Sequence, residues 1–275
     1  MSTNDRLVSE LSAVLSELSL DFLGGEHELV AKIHTSCAGL RRHLHSEERE
    51  DDIVPLTEAA SYWDLTPKYR YDLLAFDIPN LANQLAFSVG LGTVHVDHVA
   101  KTGGGYFPTW SDVLFWYHVD FGVRLASSSW DRTALLLDLA FGLNCGAGCN
   151  LPTVLRRLPE EDPDIVHRGC FKRLKQFRDG RFTELEAGRG SGARHEATHL
   201  LSPSTRYLAE FVESFSRENA RTEASDWRQF LREHHGIYLE GLKDALRLVE
   251  ERWPVEVVDT QQPAGAASEK RPGEA

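Results

Sequence analysis

No apolar run near 20 residues without charges occurs in this chain, which argues against a conventional membrane-spanning helix. Cysteine is scarce, four in 275 residues, so a disulfide framework is not what holds the fold together. That scarcity and the want of a leader-like apolar stretch lead us to expect a cytoplasmic protein with reduced thiols. Positive charge is also in deficit: 30 Lys and Arg stand against 42 Asp and Glu, a formal net charge of −12. Such a surface repels phosphate as a whole and argues against a general nucleic-acid or membrane-surface binder unless a local basic patch overrides it. Strand-like alternation is scarce and no internal repeat is found. The glycine run Gly103-Gly104-Gly105 lacks the Lys-Ser/Thr ending of a phosphate-binding loop.

What is present is apolar spacing by threes and fours, over a composition 41% hydrophobic. Helices are expected over 5–23, then through Leu29, Val30, Ile33, Cys37, Leu40 and Leu44, then from Ile78 to about Val99. The most apolar segment, Ser111 to Leu143, is apolar around nearly its whole circumference and suits a central helix wrapped by others. Further helices are expected over 163–187, from Ser204 to about Asn219, and over 225–252, where Pro254 stops the last one. Residues 53–75, with Pro55, Trp63, Pro67, Tyr69 and Tyr71, read as irregular chain crossing the outside of the core. The expected fold is an all-α, up-and-down helical bundle in a single domain over 1–258. Residues 1–75 extend a core at about 78–253, and 259–275 form a compositionally disordered tail.

Several polar groups have ordinary structural explanations. Arg124 and Asp131 are seven apart, two turns along one helix face, and suit a buried or half-buried charge pair. His34, His43 and His45 read as surface or cap histidines, and His95-Val96-Asp97-His98 as a packing feature. Cys145 and Cys149 have a loose C-x3-C spacing with no second Cys/His pair following, so a glycine-rich helix-ending turn is the better explanation than a metal site. Arg228 and His234 imitate a catalytic spacing within an ordinary amphipathic helix.

The stretch Arg194-His195-Glu196-Ala197-Thr198-His199 carries the chemistry, and it satisfies two patterns at once. Taken from His195 it is H-E-x-x-H, in which His195 and His199, roughly 40° apart on a helix, hold zinc while Glu196 acts as base. That reading needs a third ligand, with Glu210, Glu213 or Glu218 as candidates. Taken from Arg194 it is R-x4-H, with the two side chains roughly 140° apart on a regular helix. The preceding Gly188-Arg189-Gly190-Ser191-Gly192 loop puts Arg194 at a frayed helix start, where it is free to turn toward His199. Between Arg168 and Arg194 lie eight basic residues against Asp179, Glu184 and Glu186, which supplies a local basic patch.

The R-x4-H pattern resembles the active-site motif of HEPN-domain ribonucleases. Tyr117 to Leu143, with Arg124-Leu125, Trp130-Asp131-Arg132 and Phe141-Gly142-Leu143, is similar to the long helix of the Cthe_2314-like branch of the HEPN superfamily, and Leu151 to Leu158 to the connection after it. The likeness covers roughly 110–215; His195 stands where Asn or Asp is commoner. It implies metal-independent cleavage of RNA, not DNA, with no cofactor. Arg194 would hold the scissile phosphate, and His199, with His195 beside it, would orient or deprotonate the ribose 2′-hydroxyl. Arg189, Lys172, Arg173 and Arg178 would bind the substrate. The resemblance also implies a homodimer that assembles the site from two subunits, and a toxin or defence role with a neutralising partner protein. Non-catalytic RNA- or protein-binding modules exist in the same superfamily and form the alternative, with an H-E-x-x-H zinc hydrolase behind them. No membrane association is expected.

Overall fold

The segment expected to be central is central. In the computed structural model, which describes residues 3–17, 25–47, 61–96, 110–182 and 217–255, Trp110–Phe141 forms one 32-residue helix, α5. Phe115, Trp116, Val119, Val123, Ala126, Trp130, Ala134 and Leu137 along it are fully or almost fully buried. The other helices are α1 (Thr3–Glu17), α2 (Gly25–Ser36), α3 (Ala38–Glu47), α4 (Pro67–Val96), α6 (Leu151–Glu161), α7 (Gly169–Phe177) and α8 (Arg217–Arg252). Among the described residues there is no strand, and the architecture is an all-α helical bundle.

Cross-helix contacts give the directions. Ser88 Oγ donates to the His118 carbonyl at 2.7 Å, and Arg132 Nε donates to Asp77 at 3.1 Å. Rising numbers on α5 thus meet falling numbers on α4, and the two run antiparallel. On the other side Gly122 packs against Leu231, Trp130 against Tyr238, and the Trp253 indole donates to the Ala140 carbonyl at 2.7 Å, so α8 runs parallel to α5. Helix α7 is antiparallel to α8: Arg168 meets Glu251, Arg173 meets Asp244 and Arg181 meets Glu233. Helices α1, α2 and α3 lie against α4.

Several element boundaries depart from the sequence expectation, among them the last helix, which, expected to begin at about 225 after a separate helix ending near Asn219, instead runs unbroken over Arg217–Arg252. Residues 67–75, expected to be irregular, are the first turns of α4: Pro67 needs no intrahelical donor at the first helical position, and Thr66 Oγ1 accepts weakly from the Tyr69 N–H at 3.5 Å. Tyr71 on the first turns is buried, so this stretch belongs to the core. The helix expected through residues 29–44 is interrupted by a turn at Cys37, although Cys37 N still bonds the Ile33 carbonyl and Arg41 N the Cys37 carbonyl, both at 2.9 Å. The helix expected over 163–187 is instead a 3-10 segment (Pro163–His167), then α7, then a π turn (Arg178–Phe182). Residues 204–216 and the tail beyond 255 lie outside the described residues.

One end of the bundle is sealed by aromatic and cationic groups. Trp253 stacks on His43 of α3 with ring centroids 4.1 Å apart. Nearby in the chain, Arg70 at the start of α4 donates to the Leu65 carbonyl at 2.9 Å and sits over the Tyr62 and Trp63 rings. A cation held on aromatic faces and backbone carbonyls needs no carboxylate partner.

Candidate functional site

The hexapeptide Arg194 to His199, Arg189 in the loop before it, and the alternative zinc ligands Glu210 and Glu213 lie outside the described residues. What the structure does place is the α7 face that leads into them. Lys172, Arg173 and Lys175 are exposed on α7, Arg178 is half-buried in the π turn, and Arg181 follows it. The amphipathic spacing explains the arrangement: Cys170, Phe171 and Leu174 are buried, which turns the long cations outward and toward α8.

There the cations meet carboxylates. Arg173 grips both oxygens of Asp244, with Nε to Oδ2 at 2.9 Å, a two-point geometry suited to guanidinium and carboxylate. Asp244 holds the already high guanidinium pKa higher still. Arg178 Nε donates to Asp179 at 2.6 Å, Arg168 to Asp162 at 2.7 Å, and Arg181 to Glu233. The Glu233 carboxyl is held below its ordinary range by the Gln229 amide, against some desolvation, and by Arg181. Between α7 and α8 runs a groove of about 580 Å³, floored by Leu174, Phe177 and Ile237. Its charged rim is Arg173, Arg181 and Arg232 against Glu233, Glu240 and Asp244, so the signs balance. The positive count along residues 168–194 is therefore offset in part, at Arg168, Arg173 and Arg181, by acids contributed from α8.

Arg124 on α5 is exposed, where a buried or half-buried position was expected, and Asp131, two turns on, is half-buried. Arg132 beside them forms an ion pair with Asp77 of α4. His234, the histidine of the imitation motif, is buried in α8 with its ring 4.2 Å from that of Phe230, and Arg228 is half-buried, as befits an amphipathic helix. His95 is buried and its ring lies parallel to that of His118 at 6.5 Å. Burial, with His95 adding to it, lowers the His118 pKa to about 4, so His118 packs as a neutral imidazole near neutral pH. His34 and His45 are exposed and His43 is half-buried.

One cluster went unrecognised in the sequence. Asp138, buried near the end of α5, comes together with Cys145 and Cys149, one ligand atom from each lying within 4.8 Å of the others. The signal that could have found it is an acidic residue one turn before a helix end and seven residues ahead of a C-x3-C pair. No family model, no curated protein and no solved structure matches the chain. The described fold and residues therefore define it as an all-helical bundle with a charge-paired α7/α8 groove, and no family name is attached to that class.

Proposed function

We propose that this protein is a HEPN-type endoribonuclease that cleaves RNA without a metal, using Arg194 and His199 of the R-x4-H motif. The observation that carries the proposal is the motif itself, standing after a basic segment in a chain whose described part is an all-helical bundle. In the mechanism the guanidinium of Arg194 takes the scissile phosphate by charge-assisted hydrogen bonds and stabilises the charge that builds on it. His199 removes the proton of the ribose 2′-hydroxyl, His195 assists in orienting it, and the oxygen attacks the adjacent phosphorus while the 5′ oxygen leaves. An imidazole titrating near neutrality suits that role.

The site is proposed to form in a homodimer, with Arg and His from each subunit. Self-association is supported by an exposed apolar strip on α5, where Val113, Tyr117 and Phe121 recur at fours and the Tyr117 and Phe121 rings stack at 6.1 Å. A toxin or defence role, held in check by a neutralising protein, is the biological setting the motif suggests.

A non-catalytic binding module is a second reading, favoured by one observation: four arginines of the α7 region are committed to carboxylates, which leaves fewer of them for RNA. The experiment that separates the readings is cleavage of a labelled RNA by the purified full chain in EDTA. The ribonuclease cleaves, and Arg194→Ala and His199→Ala abolish cleavage while retaining helical circular dichroism. A folded, inactive wild type points to the binding module. Activity lost in EDTA, together with zinc bound through His195 and His199 and a dependence on Glu196 as base, points to the hydrolase.

A further inference from the structure

We propose that Asp138, Cys145 and Cys149 form a binding site for a single divalent transition ion of the zinc type, at the turn joining α5 to α6. The chain reverses here through three left-handed residues, Gly142 at φ 64°, Asn144 at φ 54° and Gly146 at φ 62°, which bring Cys145 back over the last turns of α5. Asp138 is fixed as it arrives: its carbonyl accepts from the Leu143 N–H at 3.1 Å, and its Oδ1 accepts from the Cys145 N–H at 2.8 Å. The Cys145 thiol also hydrogen-bonds the Asp138 carboxyl, so the carboxyl faces the sulfurs on a side chain held by two contacts, and loss of the thiol proton on binding would turn that contact over to the ion.

The spacing suits an ion. Zinc–sulfur bonds of about 2.3 Å and zinc–oxygen bonds of about 2.0–2.2 Å, set at tetrahedral angles, put ligand atoms roughly 3.5–3.8 Å apart. The present separations, all within 4.8 Å, need only small side-chain rotations to reach that. Two sulfurs and one oxygen select a borderline-soft ion over magnesium or calcium, which take oxygen ligands. The fourth position goes to solvent, since both cysteines are half-exposed. On binding, each thiol loses its proton to solvent and forms a metal–sulfur bond, while the carboxylate binds without proton loss.

Charge balance adds support. Two thiolates and a carboxylate around a dication leave one net negative charge, and Arg157 of α6 reaches the Cys145 sulfur at 3.8 Å to offset it. Asn150, whose side chain accepts from the Thr153 N–H at 2.9 Å, starts α6 directly after Cys149. The ion would therefore join the end of the central helix to the start of the next, a structural role separate from the chemistry proposed for Arg194 and His199.

The test uses the reduced full chain, first stripped of metal and then titrated with Zn(II) and with Co(II). One ion per chain is expected, and the cobalt form should show a thiolate-to-metal charge-transfer band, which an H-E-x-x-H site cannot give. Asp138→Asn is the discriminating variant, because an amide oxygen keeps the hydrogen bond to Cys145 N–H while the anionic ligand is withdrawn. It should weaken Zn(II) binding by more than the roughly 10- to 100-fold that loss of an outer partner costs, and Arg157→Leu should fall within that range. Cys149→Ser should remove the band, with circular dichroism showing that the helices persist. Absence of the band, an affinity unchanged in Asp138→Asn, or a Cys145–Cys149 disulfide that persists after reduction would overturn the proposal.

Discussion

At the scale of single residues, the fold depends on how tightly Trp130 is enclosed. It is fully buried, stacks on Phe177 at 4.4 Å, meets Tyr238 edge-on at 5.3 Å, and is covered by Gly241, where a Cβ would lie 2.2 Å from the indole. Gly241→Ala must push the ring or the helix aside and is expected to cost about 1–3 kcal/mol in urea unfolding, although alanine is the better helix former. An unchanged midpoint would show that the α5/α8 packing is not as described. The buried histidines set a pH dependence. His235 and His118 are both lowered to about 4 from an ordinary 6.5, because burial disfavours the cation. The unfolded chain gains protons below about 6.5 that the folded one refuses until about 4, so their contribution is complete above that window and is lost as pH falls through it. Thermal unfolding should show the loss between these values, and His235→Asn should flatten the curve. A wild-type melting temperature constant from pH 7 to 4 would contradict it.

At the scale of elements, periodicity revealed α5 to within two residues of its observed ends, because an apolar circumference leaves a helix only one place to go. It missed the start of α4, where prolines and aromatics imitate a loop although Thr66-Pro67 is a sound helix beginning. It also misjudged α7, since nothing local in Arg178 to Phe182 announces a π turn. The basic patch shows a different limit: counting charge along 168–194 cannot register Glu233, Asp244 and Glu251, which come from a helix further along the chain, the partners 52 and 71 residues apart in two of the pairs. The Asp138 cluster escaped for the same reason, since one ligand sits unremarked in an apolar helix. The α7/α8 pairing makes a prediction. The Arg173–Asp244 pair is partly exposed and screened by solvent, so Asp244→Asn should leave the urea-unfolding midpoint almost unchanged. If α7 touches RNA, the released Arg173 should tighten RNA binding and steepen its salt dependence by about one phosphate contact, measured by fluorescence titration. Identical binding by both proteins would remove α7 from the interface.

At the scale of the whole molecule, an excess of negative charge and a local motif proposed for phosphate chemistry have to coexist, and the proposed dimer would reconcile them by concentrating two arginines and two histidines at one place. Sedimentation should give twice the 30.9 kDa chain mass. Tyr117→Asp, which puts a charge into the exposed α5 strip, should shift the balance to monomer and lower cleavage with it; a fully active monomer would rule out the composite site. The all-helical fold was legible because amphipathic spacing is a property of neighbours in sequence. The motif was legible in its residue types, but the proposed convergence of Arg194 with His199 would be a property of an assembly and is not written in any one stretch of chain. The most direct test is therefore chemical: the ends left on a cleaved RNA, determined by mass spectrometry beside a substrate carrying a 2′-deoxy sugar at the cleaved position. Attack by the 2′-hydroxyl predicts a 2′,3′-cyclic phosphate with a 5′-hydroxyl, formed in EDTA, lost in Arg194→Ala and absent from the deoxy substrate. A 3′-hydroxyl with a 5′-phosphate, or cleavage that survives Arg194→Ala, would contradict the account.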